Sequence, residues 1–150
     1  MRIALVEPEI PQNAGSIARL AAATRTPLDF VGPLGFSLED RYLKRAGLDY
    51  WPLVDLTLYE SWEQYAARVH EGRALAFSAR AGRSFTECAF QRDDRLFFGK
   101  ETSGLGADLL ERFGEHVYTI PIDEPRVRSL NVAQAAAIVV YEARRQLGAG

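Results

Sequence analysis

Short apolar runs, each the length of a β-strand, alternate along the chain with stretches in which apolar residues recur at helical spacing. The runs predict strands at residues 3–6, 28–31, 74–77, 95–98 and 117–120. The intervening pattern predicts helices at residues 13–23, 39–45, 61–69, 107–112 and 131–147. Asn13 and Ser61 stand where a side chain commonly caps a helix N-terminus. This order of elements favours an α/β fold with a mostly parallel sheet flanked by helices.

Length and composition indicate one globular domain spanning residues 1–150. A chain of 150 residues that is 47% hydrophobic and 25% charged can bury one core without disulfides. Its single cysteine, Cys88, suits a reducing compartment, and no apolar run reaches the roughly 18 residues of a transmembrane helix. The N-terminus becomes acidic at Glu7, which is too early for a signal peptide. We therefore expect a cytoplasmic protein with no membrane partner.

The net charge of −2 argues against a nonspecific nucleic-acid coat, which would be strongly basic. Local basic patches remain compatible with that charge, and three clusters stand out. They are Arg41, Lys44 and Arg45; Arg80 and Arg83; and Arg126 and Arg128. Each cluster is explained either by a solvated surface or by a contact with a polyanion.

The last predicted helix carries a broad face of small apolar side chains. The face consists of Val132, Ala135, Ala136, Val139, Val140 and Ala143. Packing on the sheet explains such a face, and so does a homodimer interface in which two backbones approach closely. The sequence leaves both interpretations open.

The loop after the first predicted strand combines stiff and polar residues. Pro8 and Pro11 stiffen it, Asn13 opens the helix, and Arg19 follows Gly15 by one turn. A helix N-terminus with a nearby arginine is a natural phosphate site. A capped helix with a surface arginine explains the same residues.

Residues 97–106 form a glycine-rich turn after the fourth predicted strand. Gly99 and Gly104 have the spacing of a phosphate-binding P-loop, but Leu105 and Gly106 occupy the positions that require Lys and Ser or Thr. A nucleoside triphosphate site of that kind is therefore excluded. What remains is a turn with one acid, Glu101, that can offer backbone groups to a ligand.

Residues 120–131 leave the fifth predicted strand and reach the last helix, which either Ser129 or Asn131 can cap. Phe77 and Ser78, at the end of the third predicted strand, can form a further wall. Ligands of open α/β sheets bind beyond the carboxyl ends of the strands. We therefore expect the three segments to converge on one site.

Other kinds of site find little support in the sequence. His70, His116 and Cys88 lack metal-ligand spacing, and we expect no metal. The first strand is not followed by the G-x-G-x-x-G of dinucleotide oxidoreductases, and no G-x-S-x-G hydrolase elbow is present.

The three segments resemble, in order, the three sequence motifs of the SPOUT ribose methyltransferases. The matching stretches are Asn13-x-Gly15-x-x-x-Arg19, residues 98–105, and Ile120-Pro121 through Ser129-Leu130-Asn131. Residues 7–13, 45–50 and 140–148 are similar to the TrmL/YibK branch of that class, which methylates the 2′-hydroxyl of the tRNA wobble cytidine or uridine. The resemblance covers nearly the whole chain.

The resemblance implies a SPOUT fold with a deep C-terminal trefoil knot, a homodimer, and S-adenosyl-L-methionine (SAM) as the cofactor. It implies catalytic roles for Arg19, Ser129 and Asn131, and a structural or orienting role for Glu101. It places the cofactor among Phe77, Gly99, Ile120, Ser129 and Leu130.

A ribose hydroxyl must lose its proton during methyl transfer, and a guanidinium group stays protonated. Arg19 is therefore expected to bring a neighbouring phosphate to the hydroxyl as the proton acceptor, or, as proposed for relatives, to act on the hydroxyl directly. Tyr50 or Trp51 either stacks on a base or packs in the core. Contacts with tRNA are expected from Asn13, Arg41, Lys44, Arg45, Arg126 and Arg128.

Two other functions compete with this interpretation. One is a 2′-O-methyltransferase that acts on ribosomal RNA or on another tRNA position. The other is a non-catalytic RNA-binding module, which would not bind SAM.

Overall fold

The computed structural model describes residues 1–47 and 49–149. Leu48, within the stretch 45–50 on which the resemblance partly rests, lies outside the described residues. Within them, six strands form one sheet in the order β3-β2-β1-β5-β4-β6, and all pairs are parallel. The strands are β1 (Arg2–Val6), β2 (Leu28–Val31), β3 (Leu56–Tyr59), β4 (Ala74–Phe77), β5 (Arg95–Phe98) and β6 (Val117–Tyr118).

In the part of the chain that the structure describes, five helices flank this sheet, and 3₁₀ turns lie at Trp51–Leu53 and Phe85–Glu87. The helices are α1 (Pro11–Thr24), α2 (Arg41–Gly47), α3 (Trp62–Ala66), α4 (Ala107–Phe113) and α5 (Val132–Gln146). Among the described residues, every helix is too short or too polar to cross a lipid bilayer. The α/β fold with a parallel sheet and flanking helices, predicted from the sequence, is confirmed.

Alternating side chains of the strands build two hydrophobic clusters, one on each face of the sheet. On the first face, Leu5, Phe30 and Phe98 pack with side chains of α1 and α5, such as Ile17 and Val139. On the second face, Ala4, Val6 and Phe97 pack with Tyr65 of α3 and Phe113 of α4. Among the residues that the structure describes, the second face is therefore covered by two short helices, whereas the first carries the two longest.

The strand order reverses at the centre of the sheet, between β1 and β5. The connection after β1 leads to α1 on the first face, and the connection after the neighbouring β5 leads to α4 on the second face. The two loops diverge, and a crevice opens between them at the carboxyl ends of the strands, where parallel sheets commonly bind ligands.

The start of α1 differs from the prediction. The helix begins at Pro11 with Ile10 as its N-cap, and the expectation that Asn13 caps it is wrong. Proline suits the first helical position because its fixed φ fits a helix and its missing N–H would have no partner there. The side chain of Asn13 is thereby available for other contacts.

Two other predicted caps have clear outcomes. Ser61 caps α3 as predicted, since its hydroxyl accepts the Gln64 N–H at 3.1 Å. Of the two candidates for α5, Asn131 is the cap, and its side chain accepts the N–H groups of Ala133 and Gln134. Helix α3 ends at Ala66, before the predicted residue 69.

The sheet also holds a strand that the sequence pattern did not predict. Strand β3 lies at the edge of the sheet, and Leu58 within it is about half exposed (48%). Strand β6 is shorter than predicted and ends at Tyr118. Both are edge strands. In β3, the polar Thr57 and the exposed Leu58 interrupt the continuous apolar run that marks a central parallel strand.

The small apolar face of α5 packs largely within the subunit. Ala136, Val139, Val140 and Ala143 are buried in the cluster that includes α1. Ile138 and Tyr141 lie on the same helix but are exposed. Packing on the sheet side thus explains the predicted small-residue face, and a separate set of α5 side chains remains at the surface.

Candidate functional site

A cavity of about 500 Å³ lies in the crevice at the carboxyl ends of β4, β5 and β6. Its walls come from the segments after four different strands, so residues far apart in the sequence meet there. The lining includes Ile10 and Asn13 after β1, residues 78–80 after β4, residues 99–104 after β5, and Ile120, Ile122 and residues 128–132 after β6, together with Ala135 of α5.

The cavity has an apolar wall at the strand ends. Phe77 and Phe98, the last residues of β4 and β5, stack with their ring centroids 5.2 Å apart and their planes at 17°. Ile120, Ile122 and Leu130 add aliphatic surface from the segment that follows β6. Such a wall suits a ligand with an apolar or aromatic part.

The turn after β5 is closed so tightly that residue 99 must be glycine. A Cβ atom on Gly99 would lie 2.1 Å from the carbonyl carbon of Gly104 and 2.3 Å from the N atom of Leu105. The Gly104 N–H donates to the Lys100 carbonyl at 2.8 Å, and Gly104 itself has a φ of +67°. The turn therefore places backbone at the cavity wall where a side chain would otherwise stand.

Glu101 joins the turn after β5 to the start of α1. Its carboxylate accepts the N–H groups of Glu9 at 2.8 Å and of Ile10 at 3.1 Å, and it accepts the Asn13 side-chain amide at 3.3 Å. One carboxylate thus satisfies backbone donors at the helix start, where the helix dipole also favours negative charge. Glu101 organises the wall on which it lies.

Two further contacts hold the same pair of loops together. The Lys100 ammonium donates to Glu7 at 3.0 Å, which raises the pKa of that lysine. The Glu9 carboxylate accepts the backbone N–H of Thr102 at 3.1 Å and its hydroxyl at 2.9 Å. The loops after β1 and β5 are therefore fixed to each other beside the cavity.

Asn13 also connects the first loop to the last. Its side-chain carbonyl accepts the Asn131 amide at 2.9 Å, while Asn131 caps α5. Hydrogen bonds therefore run from Glu101 through Asn13 to Asn131 and tie together the three segments that the sequence predicted to converge.

The predicted site residues fall into two groups. Those that line the cavity are Asn13, Phe77, Gly99, Ile120, Arg128, Ser129, Leu130 and Asn131. Those that lie outside it are Arg19, Arg41, Lys44, Arg45 and Arg126.

Arg19 is exposed on α1, and its guanidinium lies over the ring of Tyr50 at 4.9 Å. Lys44 pairs with Glu39 at 2.6 Å, and Arg126 pairs with Glu124 at 2.7 Å. These pairs are exposed and worth little energy, so both basic groups can exchange partners readily. Trp51 is half-buried and packs against the core. This agrees with core packing, one of the two interpretations given for that residue from the sequence.

Some lining residues escaped the sequence analysis. Ile10 and Ile122 gave no signal, because an apolar residue near a strand end is usually core. The sequence analysis placed Arg80 only in a basic cluster with Arg83, explained by a solvated surface or a polyanion contact, yet Arg80 lines the cavity three positions after the end of β4. Its distance from a strand end was the signal that could have placed it. Within residues 1–47 and 49–149, no three His, Cys, Asp or Glu side chains are grouped so that they could hold a metal ion.

Comparison with known proteins identifies the family to which this chain belongs. The sequence profile of the SpoU rRNA Methylase family matches residues 1–141. The chain belongs to the SpoU rRNA methylase family. The motif segments that form the cavity all lie within the matched residues.

Individual SpoU methylases resemble the chain over almost all of its length. The tRNA (cytidine(34)-2'-O)-methyltransferase of Methylovorus glucosotrophus is 44% identical over 145 residues, which cover 96% of this chain and 94% of the relative. A solved structure described as giving structural insights into the 2-OH methylation of C/U34 on tRNA is 48% identical, with a TM-score of 0.94, and covers 99% of this chain and 97% of the other.

A more distant SpoU methyltransferase shares the fold alone. The structure of AviRb from Streptomyces viridochromogenes, in complex with the cofactor AdoMet, is 23% identical with a TM-score of 0.85. The match covers 100% of this chain and 61% of AviRb. The parallel sheet and flanking helices described above are therefore common to distant members of the SpoU family.

Proposed function

We propose that this SpoU methylase transfers a methyl group from SAM to the ribose 2′-hydroxyl of cytidine or uridine 34, the wobble nucleotide of the tRNA anticodon loop, in the cytoplasm. The observation that carries the proposal is the convergence of the three motif segments on one cavity, in a chain that is 44–48% identical over nearly its full length to proteins named or described for that reaction.

The cavity fits a cofactor of this kind. Its volume of about 500 Å³ falls in the range of small-molecule sites. Residues 99–104 line the cavity, and the turn that they form is packed so closely that a Cβ on Gly99 would displace it. When bound, SAM supplies a methyl group on a sulfonium. Phe77, Gly99, Ile120, Ser129 and Leu130 would hold it.

The residues of the chain then have to position the ribose and bring a proton acceptor to its 2′-hydroxyl. The hydroxyl oxygen must come within roughly 3 Å of the methyl carbon, in line with the departing sulfur. Rigid cavity walls are needed to hold the ribose in that position. The hydrogen bonds among Glu101, Asn13 and Asn131 supply that rigidity, and Ser129 and Asn131 face the same cavity. Arg19 binds the phosphate next to the reacting ribose and brings it to the hydroxyl as the proton acceptor.

We propose that Arg19 plays this role in the site of a second subunit. It lies outside the cavity of its own subunit, exposed on α1. We therefore assign each complete site to a homodimer, in which Arg19 of one protomer reaches the cavity of its partner. Exposed apolar side chains such as Ile138 and Tyr141 of α5 are candidates for the surface between protomers.

The basic residues outside the cavity would bind the tRNA backbone. Arg41, Lys44 and Arg45 lie on α2, and Arg128 lies at the cavity rim near the exposed Arg126. Because neutralised phosphates release counterions, tRNA affinity should fall steeply as the salt concentration rises.

The fold of the C-terminal third is proposed to include the trefoil knot that the resemblance implies. Thr119, at the start of the segment that leads to α5, exchanges backbone hydrogen bonds with Arg83 and Phe85 in the connection from β4 to β5. The segment therefore runs against that connection, through which we propose it is threaded. Mechanical extension from the two termini tests this: a knotted chain stops short of the contour length of 150 extended residues.

The experiment for the proposed reaction uses purified protein, labelled SAM and a tRNA transcript, with the product mapped by mass spectrometry. We expect one methyl group on the ribose of nucleotide 34. The matched control is the same tRNA carrying 2′-deoxyribose at position 34, which should remain unmethylated. A methyl group on a base, on another position or only on ribosomal RNA would overturn the proposal, and the absence of SAM uptake in calorimetry would leave an RNA-binding module.

A mixing experiment tests the shared site. Arg19→Ala and Gly99→Ala homodimers should each be inactive, and co-expression of the two chains should restore activity. Since half of the randomly formed dimers are mixed and each has one intact site, about a quarter of wild-type activity is expected. If the mixture stays inactive, Arg19 serves its own subunit.

A further inference from the structure

A second pocket lies on the opposite face of the sheet from the SAM cavity. It has a volume of about 280 Å³ and opens between α3 and α4, at the amino ends of β4 and β5. Phe97 lines this pocket, whereas its neighbour Phe98 lines the cavity on the other face. The two sites are therefore separated by the sheet.

The charge of this pocket departs from that of the whole chain. The chain has 20 acidic and 18 basic residues, yet the lining holds Arg68, Arg95, Arg112 and His70 and no Asp or Glu. None of the three arginines forms an ion pair with any residue that the structure describes. Three uncompensated guanidinium groups around one hollow form a site for an anion.

Arg95 is held in place without being neutralised. Its two terminal nitrogens donate to the Tyr65 hydroxyl at 2.9 Å and to the Gly72 carbonyl at 3.2 Å, both of which are uncharged acceptors. Its Nε–H and the indole N–H of Trp62 are buried without an acceptor among the described residues. Buried donors of this kind call for an absent water, ion or ligand.

The remaining wall of the pocket is aromatic. Trp62 stacks on Tyr65 at 5.4 Å, and Tyr65 stacks on His70 at 4.0 Å. Phe97 and Phe113 complete the floor. Guanidinium groups beside aromatic rings are the combination with which proteins hold a phosphate and its nucleobase, whereas an acidic peptide would use only the arginines.

We propose that this pocket binds a phosphorylated nucleoside, with the phosphate on Arg68, Arg95 and Arg112 and the base against the partly exposed Trp62 ring. The source is either a free nucleotide or a nucleotide of an RNA chain. The inference does not depend on the reaction proposed for the other cavity, because no residue is shared between the two sites.

In the test, the full-length protein is titrated separately with guanosine monophosphate (GMP), guanosine and inorganic phosphate. Binding is measured by calorimetry and by tryptophan fluorescence. GMP should bind more tightly than either fragment and should bind equally in the presence of saturating SAM. The Arg68→Gln/Arg112→Gln double variant changes two exposed side chains and should weaken GMP binding at least about tenfold. Its matched control, Arg25→Gln/Arg92→Gln, removes the same charge from two exposed arginines that do not line this pocket and form no ion pair with a described residue, and it should bind GMP as the wild type does.

A 5′-hydroxyl hexauridylate distinguishes the two sources. If it binds more tightly than GMP and loses affinity in the Arg68/Arg112 double variant, the pocket serves RNA; if only GMP responds, it serves a free nucleotide. Both results support the shared chemistry. The proposal is overturned if the two double variants bind both probes alike, or if SAM displaces GMP.

Discussion

At the scale of single residues, Gly99 shows how closely the cavity wall is built. The backbone of Gly104 and Leu105 occupies the place of a side chain at position 99. No rotamer change relieves such a contact, because both partners are main-chain atoms. The wall can accommodate a larger residue only by moving the turn.

Gly99→Ala should therefore lower the free energy of unfolding by about 1–3 kcal/mol and abolish measurable SAM binding in calorimetry. Gly82→Ala is the matched control, since a Cβ there has nothing within 4 Å. Denaturant unfolding measures the first effect. Wild-type SAM affinity in Gly99→Ala would show that the turn does not form the cofactor wall.

The behaviour of Asn13 shows where residue-level inference from sequence ends. Asparagine is a residue type that commonly caps helices. Because α1 begins at Pro11, before Asn13, the Asn13 side chain does not serve as the cap. Its partners, Glu101 and Asn131, lie 88 and 118 positions away. Local sequence preferences can rank candidate caps, but they do not indicate which distant polar group will contact a given side chain.

At the scale of elements, Asn131 performs two tasks that substitution can separate. Its carbonyl oxygen caps α5, and its amide nitrogen donates to Asn13. Asn131→Ala removes both contacts and should cost about 1 kcal/mol of stability. Asn131→Asp keeps the capping oxygen and should retain that stability, while methylation of tRNA falls in both variants. Full activity of Asn131→Asp would show that the bond to Asn13 is dispensable.

The other end of α5 carries an acid-sensitive contact. Hydrogen bonds from Arg145 and Gln146 lower the pKa of Glu142 to about 2, from 4.5. Because the folded state favours the ionised form, this stabilisation is complete above pH 4.5 and is lost as the pH falls toward 2.

Glu142→Gln should therefore reduce the free energy of unfolding by about 0.5–1 kcal/mol at pH 7, and the difference from the wild type should shrink below about pH 4.5. Denaturant titrations at pH 7 and pH 3 measure it. Glu111→Gln, an exposed change on α4 whose side chain bonds to no described residue, should match the wild type at both values. If the free energy of unfolding of Glu142→Gln differs from that of the wild type by the same amount at both pH values, ionisation of Glu142 is not the cause of the difference.

Elements with a strong local signal were predictable, and edge elements were not. Strands β2, β4 and β5 have the predicted bounds because they are central or nearly so and consist mostly of apolar residues, with one charged residue each in β2 (Asp29) and β5 (Arg95). Strand β3 pairs with β2 through its backbone while Leu58 remains half exposed, so little burial marks it in the sequence. Pairing energy at an edge does not depend on apolar composition.

At the scale of the whole molecule, cofactor binding should be coupled to global stability. Ligand at 100 times its dissociation constant stabilises the native state by about 2.7 kcal/mol, which for a chain of 150 residues raises the Tm by roughly 5–11 °C. Differential scanning calorimetry of the wild type with SAM should show that rise. Gly99→Ala with SAM, and the wild type with methionine, should show none; a rise in Gly99→Ala would place the binding elsewhere.

The site as a whole could be anticipated only in part. That the motif segments share a cavity follows from their positions at strand ends, a general property of parallel sheets. The strand order that brings β1 beside β5 depends on pairings between residues more than 90 positions apart, which local patterns do not encode. The sequence likewise gave no reason to place Arg19 outside the cavity of its own chain.

The wall supplied by residues 120–135 has a consequence for biosynthesis. A ribosome extends the protein from its N-terminus, so the loops after β1, β4 and β5 emerge before this wall has been made. A nascent polypeptide at that stage presents an open half-site to the cell's pool of methyl donor. Capture of the donor thus awaits the final helix, and only a finished molecule can carry it to RNA.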